Sequence, residues 1–328
     1  MVSRRTPVLA AAALLALAAL TLAAVAWGSV HIPVRALAAA VAGHGDPTTV
    51  AIVRTLRLPR VTLALLVGAA LGMSGGALQA TLRNALAEPY LLGVSGGAAV
   101  GAVLATVAGL RGPFMLPLAA FGGAVVAIVA ALLVSRAAGG RADPRVLLMA
   151  GVIIGAFANA AIMLVLAGAP ADTVRGAVWW MMGSVAGADW RGVAAMGAYL
   201  AVGGALLLVW AREIDILALG VEPAAALGVD VERSARRVYL VSALLAAATV
   251  AAAGLVGFVG LIVPHLVRGA GVRRHRALLG GAAVAGAALV VGADLIARVA
   301  RPPMDLPLGA VTAVLGVPFF LVQLRRLR

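Results

Sequence analysis

The sequence predicts an all-α protein that crosses a membrane about ten times. The first observation is composition: 63% of the residues are hydrophobic and 12% are charged, against about 45–50% and about 25% in soluble domains. The second is a mean hydropathy of +1.09. The third is that the apolar residues form long runs separated by arginines, prolines and glycines. These observations exclude a secreted domain, a disordered chain and a nucleic-acid-binding module, although the net charge is +14.

The apolar runs are close to the length of about 20 residues that a bilayer-spanning helix needs. In chain order they cover 7–28, 61–81, 93–110, 114–135, 145–167, 191–210, 236–256, 257–268, 276–297 and 307–324. The run at 257–268 is too short to span alone and contains Pro264, so its boundary with the preceding run is weak. Shorter elements are expected at 32–44 and 173–186. We expect one membrane domain over residues 1–328.

The first run follows Arg4 and Arg5 and resembles a signal peptide, but it is longer than the usual apolar core of about 7–15 residues. We therefore interpret it as a retained helix. Most arginines lie on the inner side if both termini are cytoplasmic, as the positive-inside rule requires. This topology leaves a group of arginines on the outer side, which the positive-inside rule does not explain. Its members are Arg54, Arg57, Arg60, Arg298 and Arg301.

Several kinds of chemistry are missing from the chain. It has no cysteine, which excludes disulfides and thiolates, and all 26 basic residues are arginine, which excludes the lysine-containing ATP-binding loop. We find no pairing of a nucleophile with a base, which argues against an intramembrane enzyme. Only Asp294 approaches a membrane interior, and Arg298 lies one helical turn away. Ion-driven carriers use mid-membrane ionisable groups, so a secondary transporter is disfavoured.

Two segments between the runs stand out. In the loop at about 212–232, Glu222 and Pro223 open a short helical stretch between two glycines, as expected at a helix start. This stretch is either a docking site for a partner or an ordinary connection. The polar turn from Arg83 to Pro89 either lines a constriction or is a plain turn.

Five blocks carry a resemblance to a known family. They are RLPRVTLALLVGAALGMSGGALQATLRNALAEPYLLGVSGGAAVG (57–101), WWMMGSVAGADW (179–190), LALGVEPAAALGV (217–229), GFVGLIVPHLVR (257–268) and DLPLGAVTAVLGVPFF (305–320). Their order and spacing resemble the BtuC-like permeases of bacterial ATP-binding-cassette (ABC) importers for iron chelates and vitamin B12.

The resemblance implies a fold of ten transmembrane helices per subunit and a homodimer in the bacterial inner membrane, with the transport path between the subunits. It also implies two copies of a separate ATPase, which would bind ATP and magnesium, and a periplasmic substrate-binding protein. No enzymatic activity and no cofactor are expected in this chain.

Residue roles follow from the resemblance by position. The ATPase-coupling residues would be Leu217, Leu219, Gly220, Glu222, Pro223, Ala226, Leu227 and Gly228. The residues that pair with glutamates of the binding protein would be Arg57, Arg60 and Arg298. The cytoplasmic gate would contain Asn84, Leu86, Ala142 and Asp143. The chain departs from the family at Ala142–Asp143, where small hydroxyl residues occur in a relative, and at Ala85, where the family usually has proline.

The substrate class stays open among ferric siderophore, haem and cobalamin. The segments WWMMGSVAGADW and NALAEPYLLGVS resemble those of the cobalamin permeases. Iron-chelate permeases are commoner, however, and share most of these motifs. We favour an iron chelate, with cobalamin as the alternative and an ion-gradient-driven transporter as a distant one.

Overall fold

The structure is a computed structural model that describes residues 5–28, 32–110, 112, 114–137 and 144–325. Within these ranges the chain folds into fifteen α-helices and no strand. The helices are α1 Arg5–Ala26, α2 Val34–Ala42, α3 Pro47–Ala51, α4 Leu58–Thr81, α5 Val94–Val107, α6 Met115–Ala137, α7 Pro144–Ala167, α8 Ala171–Met181, α9 Trp190–Val209, α10 Ala211–Leu217, α11 Val221–Ala226, α12 Val231–Ala253, α13 Val259–Gly269, α14 His275–Val299 and α15 Leu308–Arg325. A π-helical stretch, Ile52–Arg57, joins α3 to α4, and a 3₁₀ turn, Pro89–Leu92, precedes α5.

The predicted all-α membrane fold is confirmed. Seven helices in the described part of the chain are long and apolar enough to cross a bilayer. Three more, within α5, α13 and α15, are apolar but shorter. Every predicted apolar run therefore has its own helix. The span that contains α4 is longer than expected: it runs for 35 residues from Pro47 to Thr81, because the π-helical stretch continues it.

The weak boundary before 257–268 is a real break between α12 and α13. Gly254 has φ 68° and ψ −158°, a combination that is accessible essentially only to glycine, and Phe258 has φ 69°. The chain therefore leaves the helical path for a few residues and resumes it as α13.

The backbone polar groups at this break have partners inside the protein. The amide of Ser184 donates to the carbonyl oxygen of Ala253 at 2.8 Å. The amide of Val256 donates to the Tyr90 hydroxyl at 3.3 Å. Irregular backbone is tolerated within a membrane protein only when its hydrogen bonds are satisfied in this way. The break is thus held between the start of α5 and the connection from α8 to α9.

Helix α4 is the centre of the bundle and is the most buried of the long spans. It packs most extensively against α14. At their closest approach the two backbones touch, because a Cβ atom on Gly68 would lie 2.1 Å from the carbonyl oxygen of Gly286, and the reverse contact is equally short. One turn further along, a Cβ on Gly72 would lie 2.2 Å from the oxygen of Ala282. Small residues permit such approaches between membrane helices.

Replacing Gly286 by alanine should therefore destabilise the bundle. The added methyl group would clash with backbone atoms of Gly68, which cannot rotate away as a side chain could. Overpacking of this kind costs about 1–3 kcal/mol. We expect the thermal unfolding midpoint of the purified protein to fall by at least about 3 °C in Gly286→Ala. Gly280→Ala is the matched control in the same helix, because its Cβ would meet nothing within 4 Å. Equal midpoints for the two variants would contradict the tight α4–α14 contact.

Candidate functional site

Polar side chains concentrate near the two ends of α14. Near its C-terminal end lies the arginine cluster, formed by Arg57, Arg60, Arg298, Asp294 and Asp305. At the other end of α14, its first residue, His275, contacts the 211–230 segment, which contains α10 and α11. Asp294 and Arg298 lie 19 and 23 residues after His275 in the same helix, so the two regions are separated by about 28–35 Å along α14.

A network of ion pairs joins the carboxylates of the arginine cluster to Arg60 and Arg298. Arg60 Nη2 lies 2.8 Å from Asp294 Oδ1, and Arg60 Nη1 lies 2.7 Å from Asp305 Oδ2. Arg298 Nε lies 3.1 Å from Asp294 Oδ2, which is the pair one turn apart that the spacing predicts. Asp294 is only 2% exposed. Its charge is thus compensated by two guanidinium groups, as a buried carboxylate requires.

Two arginines of the cluster also bind the end of α1. Arg57 Nη1 donates to the carbonyl oxygens of Val25 and Ala26, both at 2.8 Å. Arg298 donates to the oxygens of Ala24 at 2.9 Å and of Trp27 at 3.1 Å. The last carbonyls of a helix have no partner in the helix itself, and cations are favourable there. Arg57 and Arg298 therefore fasten α1 to the bundle.

The three arginines predicted to dock a binding protein line one cavity of about 350 Å³. The other lining residues are Gly28, Ile52, Leu56, Ala186, Pro303 and Asp305. Arg57 and Arg298 are each only 6% exposed, so most of each side chain is enclosed. Sequence reasoning grouped these arginines but missed their partners in α1 and Asp305. Their pairing with an external protein stays a prediction.

In the 211–230 segment, the residues predicted to couple to an ATPase divide into an inner and an outer set. Leu217 is buried in α10, and Gly220 is buried in the turn between α10 and α11. Leu219 and Leu227 are 63% and 60% exposed. Also exposed are Glu222, Pro223, Ala226 and Gly228. The segment thus presents an apolar surface around α11.

Helix α10 is attached to α12 by a polar cluster. Glu213 Oε2 accepts hydrogen bonds from the Ser234 hydroxyl at 2.7 Å and from Arg237 Nη2 at 3.0 Å. The Arg237 guanidinium also lies 5.2 Å from the centre of the Trp210 ring, within range of a cation–π interaction. Sequence reasoning identified none of these residues as functional.

Helix α10 is also attached to α14. Asp215 Oδ1 accepts a hydrogen bond from the His275 amide at 2.9 Å and lies 2.6 Å from His275 Nδ1. The carboxylate thereby satisfies an amide in the first turn of α14, a group that has no partner within the helix. The two residues are 60 positions apart in the sequence, so no local pattern could have revealed the contact. Together with Glu213, Asp215 makes the 211–230 segment a fixed part of the bundle.

Of the predicted gate residues, the structure describes Asn84 and Leu86. Asn84 Oδ1 accepts a hydrogen bond from the Leu86 amide at 2.9 Å, which closes a tight turn after α4. Leu86 is 48% exposed at this turn. Ala142 and Asp143 lie outside the described residues.

Glu88, which follows the same turn, accepts a hydrogen bond from the Phe258 amide at 2.6 Å. Burial raises the pKa of its carboxyl group, and the Phe258 hydrogen bond acts in the opposite direction. The turn is therefore tied to the break before α13, a contact that the sequence did not indicate.

Comparison with known proteins identifies the family. The sequence profile of the FecCD transport family matches residues 15–326. The chain belongs to the FecCD transport family. The resemblance noted from the five sequence blocks is thereby confirmed. FecCD proteins are membrane permease components of ABC transporters, and the ATPase is a separate subunit.

Two curated relatives have similar identity to this chain but are named for different substrates. The chain is 40% identical to the cobalamin import permease BtuC of Halobacterium salinarum, over 86% of this chain and 75% of that protein. It is 39% identical to the hemin transport permease HmuU of Yersinia pestis, over 83% of each chain.

A solved structure supports the fold over the whole chain. It is an ABC transporter described as metal-chelate type, in an inward-facing conformation. The TM-score is 0.88 with 27% sequence identity, covering 98% of this chain and 99% of that one. The chain thus has the BtuC-like permease fold expected from its sequence.

The arginine cluster should contribute strongly to stability. Arg298→Met would keep most of the packing but would remove the guanidinium group that donates to the carbonyl oxygens of Ala24 and Trp27, and it would remove one cation from buried Asp294. Breaking a buried ion pair costs about 3–5 kcal/mol, so we expect the thermal midpoint to fall by at least about 6 °C. Arg301→Met, at an exposed position three residues away, serves as the control and should leave the midpoint unchanged. A stable Arg298→Met protein would contradict the fastening of α1.

Proposed function

We propose that this chain is the permease subunit of a homodimeric importer that moves a large chelate from the periplasm into the cytoplasm of a bacterium. The observation that carries the proposal is the FecCD match over residues 15–326 in a chain that has a different polar site near each end of α14. One site suits an ATPase, and the other suits a substrate-binding protein. The whole chain, residues 1–328, acts as one permease domain.

The 211–230 segment is the ATPase-coupling site in this proposal. Its exposed apolar residues, Leu219 and Leu227, offer contacts to a cleft on the ATPase, a common mode of helix recognition. Its attachments through Glu213 and Asp215 transmit a displacement of α11 to α12 and α14. An ordinary surface loop would need neither attachment, which is why we prefer coupling to a plain connection.

The arginine cluster is the docking site for the periplasmic binding protein. Three guanidinium groups line one cavity, and because Arg57 and Arg298 are each only 6% exposed, the carboxylates of a partner would have to enter it. Charge complementarity of this kind serves mainly to steer the partner as it approaches and to set its position on the permease. The internal ion pairs with Asp294 and Asp305 hold Arg60 and Arg298 in place for this contact.

Orientation in the membrane follows from the arginine distribution. Arg212, Arg233, Arg236, Arg273 and Arg274 lie close to the 211–230 segment or to the start of α14. The positive-inside rule then puts this side in the cytoplasm. Both termini are cytoplasmic in this topology, and the arginine cluster faces the periplasm.

Transport in this proposal is a conformational cycle without catalysis by the permease. ATP and magnesium bind to the two ATPase subunits, whose closure moves the 211–230 segments. The path between the two permeases then opens on one side or the other. The turn held by Asn84 presents Leu86 to this path as part of a gate, together with Ala142 and Asp143. The chain itself needs no cofactor.

The substrate in this proposal is an iron chelate, either a ferric siderophore or haem. The similarity to a hemin permease and to a metal-chelate type transporter supports this choice. The alternative is cobalamin, supported by a relative of nearly the same identity. The identities of 39% and 40% do not discriminate between the two.

Uptake measurements in a strain that lacks this gene would identify the cargo. Radiolabelled ferric siderophore, haem and cobalamin would be offered separately, with and without ATP depletion. We expect loss of iron-chelate uptake alone, with restoration by the gene and dependence on ATP. Loss of cobalamin uptake alone would establish the alternative. Uptake that survives ATP depletion and collapses with an uncoupler would contradict the proposal and indicate an ion-driven carrier.

The coupling role can be tested by co-purification with the ATPase. Leu219→Asp with Leu227→Asp puts two charges on the exposed apolar surface of the 211–230 segment, where a fold penalty is not expected. We expect the ATPase to be lost from the purified complex. The control is Leu110→Asp, at a residue that follows α5 and is 52% exposed. If the double variant retains the ATPase as well as the control does, the assignment is wrong.

A further inference from the structure

A second cavity lies between α4, α6, α9 and α12, and none of its lining residues belongs to the arginine cluster or the 211–230 segment. Its volume is about 350 Å³. The walls are largely hydrocarbon, with Leu63, Phe121, Met196 and Tyr199 among the lining residues. The rings of Phe121 and Tyr199 lie 5.4 Å apart, centre to centre, and form one side of it. Volumes of about 300–1,000 Å³ with apolar walls are typical of ligand sites.

The edge of this cavity carries two opposite charges. Asp189 and Arg191 both line it, and both are exposed. Asp189 uses one carboxylate oxygen to cap α9, accepting a hydrogen bond from the Gly192 amide at 2.8 Å. An occupant with hydrocarbon at one end and a positive and a negative group at the other would match this arrangement.

The cavity lies at the end of the bundle that carries the arginine cluster. Leu63 is in the second turn of α4, close to Arg57 and Arg60, and Asp189 precedes the first residue of α9. The Trp190 indole donates a hydrogen bond to the carbonyl oxygen of Arg54 at 3.0 Å, which joins the start of α9 to this end. Exposed tryptophans are enriched at the boundary between membrane and water. The charged edge is therefore at the headgroup level, and the apolar walls extend toward the hydrocarbon.

We propose that this cavity binds one zwitterionic phospholipid with a primary ammonium headgroup, of the phosphatidylethanolamine type. An acyl chain fills the space beside Phe121 and Tyr199, the phosphate pairs with Arg191, and the ammonium group pairs with Asp189. An anionic lipid would satisfy Arg191 but would be repelled by Asp189. A ligand that is apolar throughout would use neither charge. The proposal goes beyond the transport function and requires only that the chain lies in a bilayer.

The test uses the permease extracted from cells in a mild detergent, with retained lipids counted by native mass spectrometry. Ala195→Phe fills the cavity, since Ala195 is exposed on its wall. Ala194→Phe is the matched control, because Ala194 is an equally exposed neighbour that does not line the cavity. Asp189→Asn keeps the cap on α9 but removes the negative charge, and Arg191→Gln removes the positive one. Thermal midpoints of all variants establish that each is folded.

The native protein should retain one phosphatidylethanolamine per chain and little phosphatidylglycerol. Ala195→Phe should reduce this occupancy about tenfold or more, because the buried acyl methylenes provide most of the affinity. Ala194→Phe should retain the lipid. Asp189→Asn should shift the preference toward phosphatidylglycerol, and Arg191→Gln should lower retention of both lipids.

Three results would overturn the proposal. The first is equal lipid retention by folded Ala195→Phe and Ala194→Phe. The second is a native protein that keeps no phospholipid while folded. The third is equal retention of phosphatidylglycerol and phosphatidylethanolamine by the native protein. None of these results bears on uptake or on ATPase binding, so the proposed function is tested separately.

Discussion

The backbones of α4 and α14 are in direct contact at Gly68 and Gly286, and α9, α12 and α13 also pack against α4. Two apolar helices gain little from leaving lipid, so their association depends on close packing and on hydrogen bonds. The glycines provide the close packing. Because α4 carries Arg60 near one end and α14 carries Asp294 near the corresponding end, the same contact also sets the spacing of the ion pairs in the arginine cluster.

Polar side chains of α4 add hydrogen bonds to the close helix packing that the glycines permit. Buried Gln79 donates hydrogen bonds to the carbonyl oxygens of Gly260 and Leu261, both at 3.1 Å, and accepts one from Arg268. Buried Ser74 donates to the carbonyl oxygen of Ser242 at 2.8 Å. In a low-dielectric interior these bonds hold α13 and α12 against α4 at defined positions. One central helix is thus connected to its neighbours by side-chain hydrogen bonds as well as by shape.

The positions of the membrane helices could be predicted from the sequence because their signals are local. Apolar runs end at charges, prolines and glycines, and the predicted 191–210 run corresponds to α9 at Trp190–Val209. The Asp294–Arg298 pair was also predictable, because a spacing of four residues in a helix brings two side chains together. The break before α13 was visible only as an uncertain boundary, since Gly254 and Phe258 do not by themselves show where the chain turns.

Most of the polar contacts at the candidate sites could not be predicted, because they join distant parts of the chain. Arg57 and Arg298 were grouped with the outer arginines and assigned a docking role, but their contacts with carbonyl oxygens at the end of α1 could not be seen, because backbone carbonyls leave no mark in the sequence. Asp215 and His275 each looked like an ordinary residue near a helix end. Such contacts depend on how the helices are arranged, which the residue pattern of a single helix does not encode.

Helix α14 connects the two polar regions of this permease directly. One end of it is held by Asp215 and the other end contributes Asp294 and Arg298 to the arginine cluster. A continuous helix transmits rotation and translation along its axis with little loss, because every backbone hydrogen bond resists stretching. The two polar regions therefore share one continuous helix, which touches α4 near its middle at Gly286.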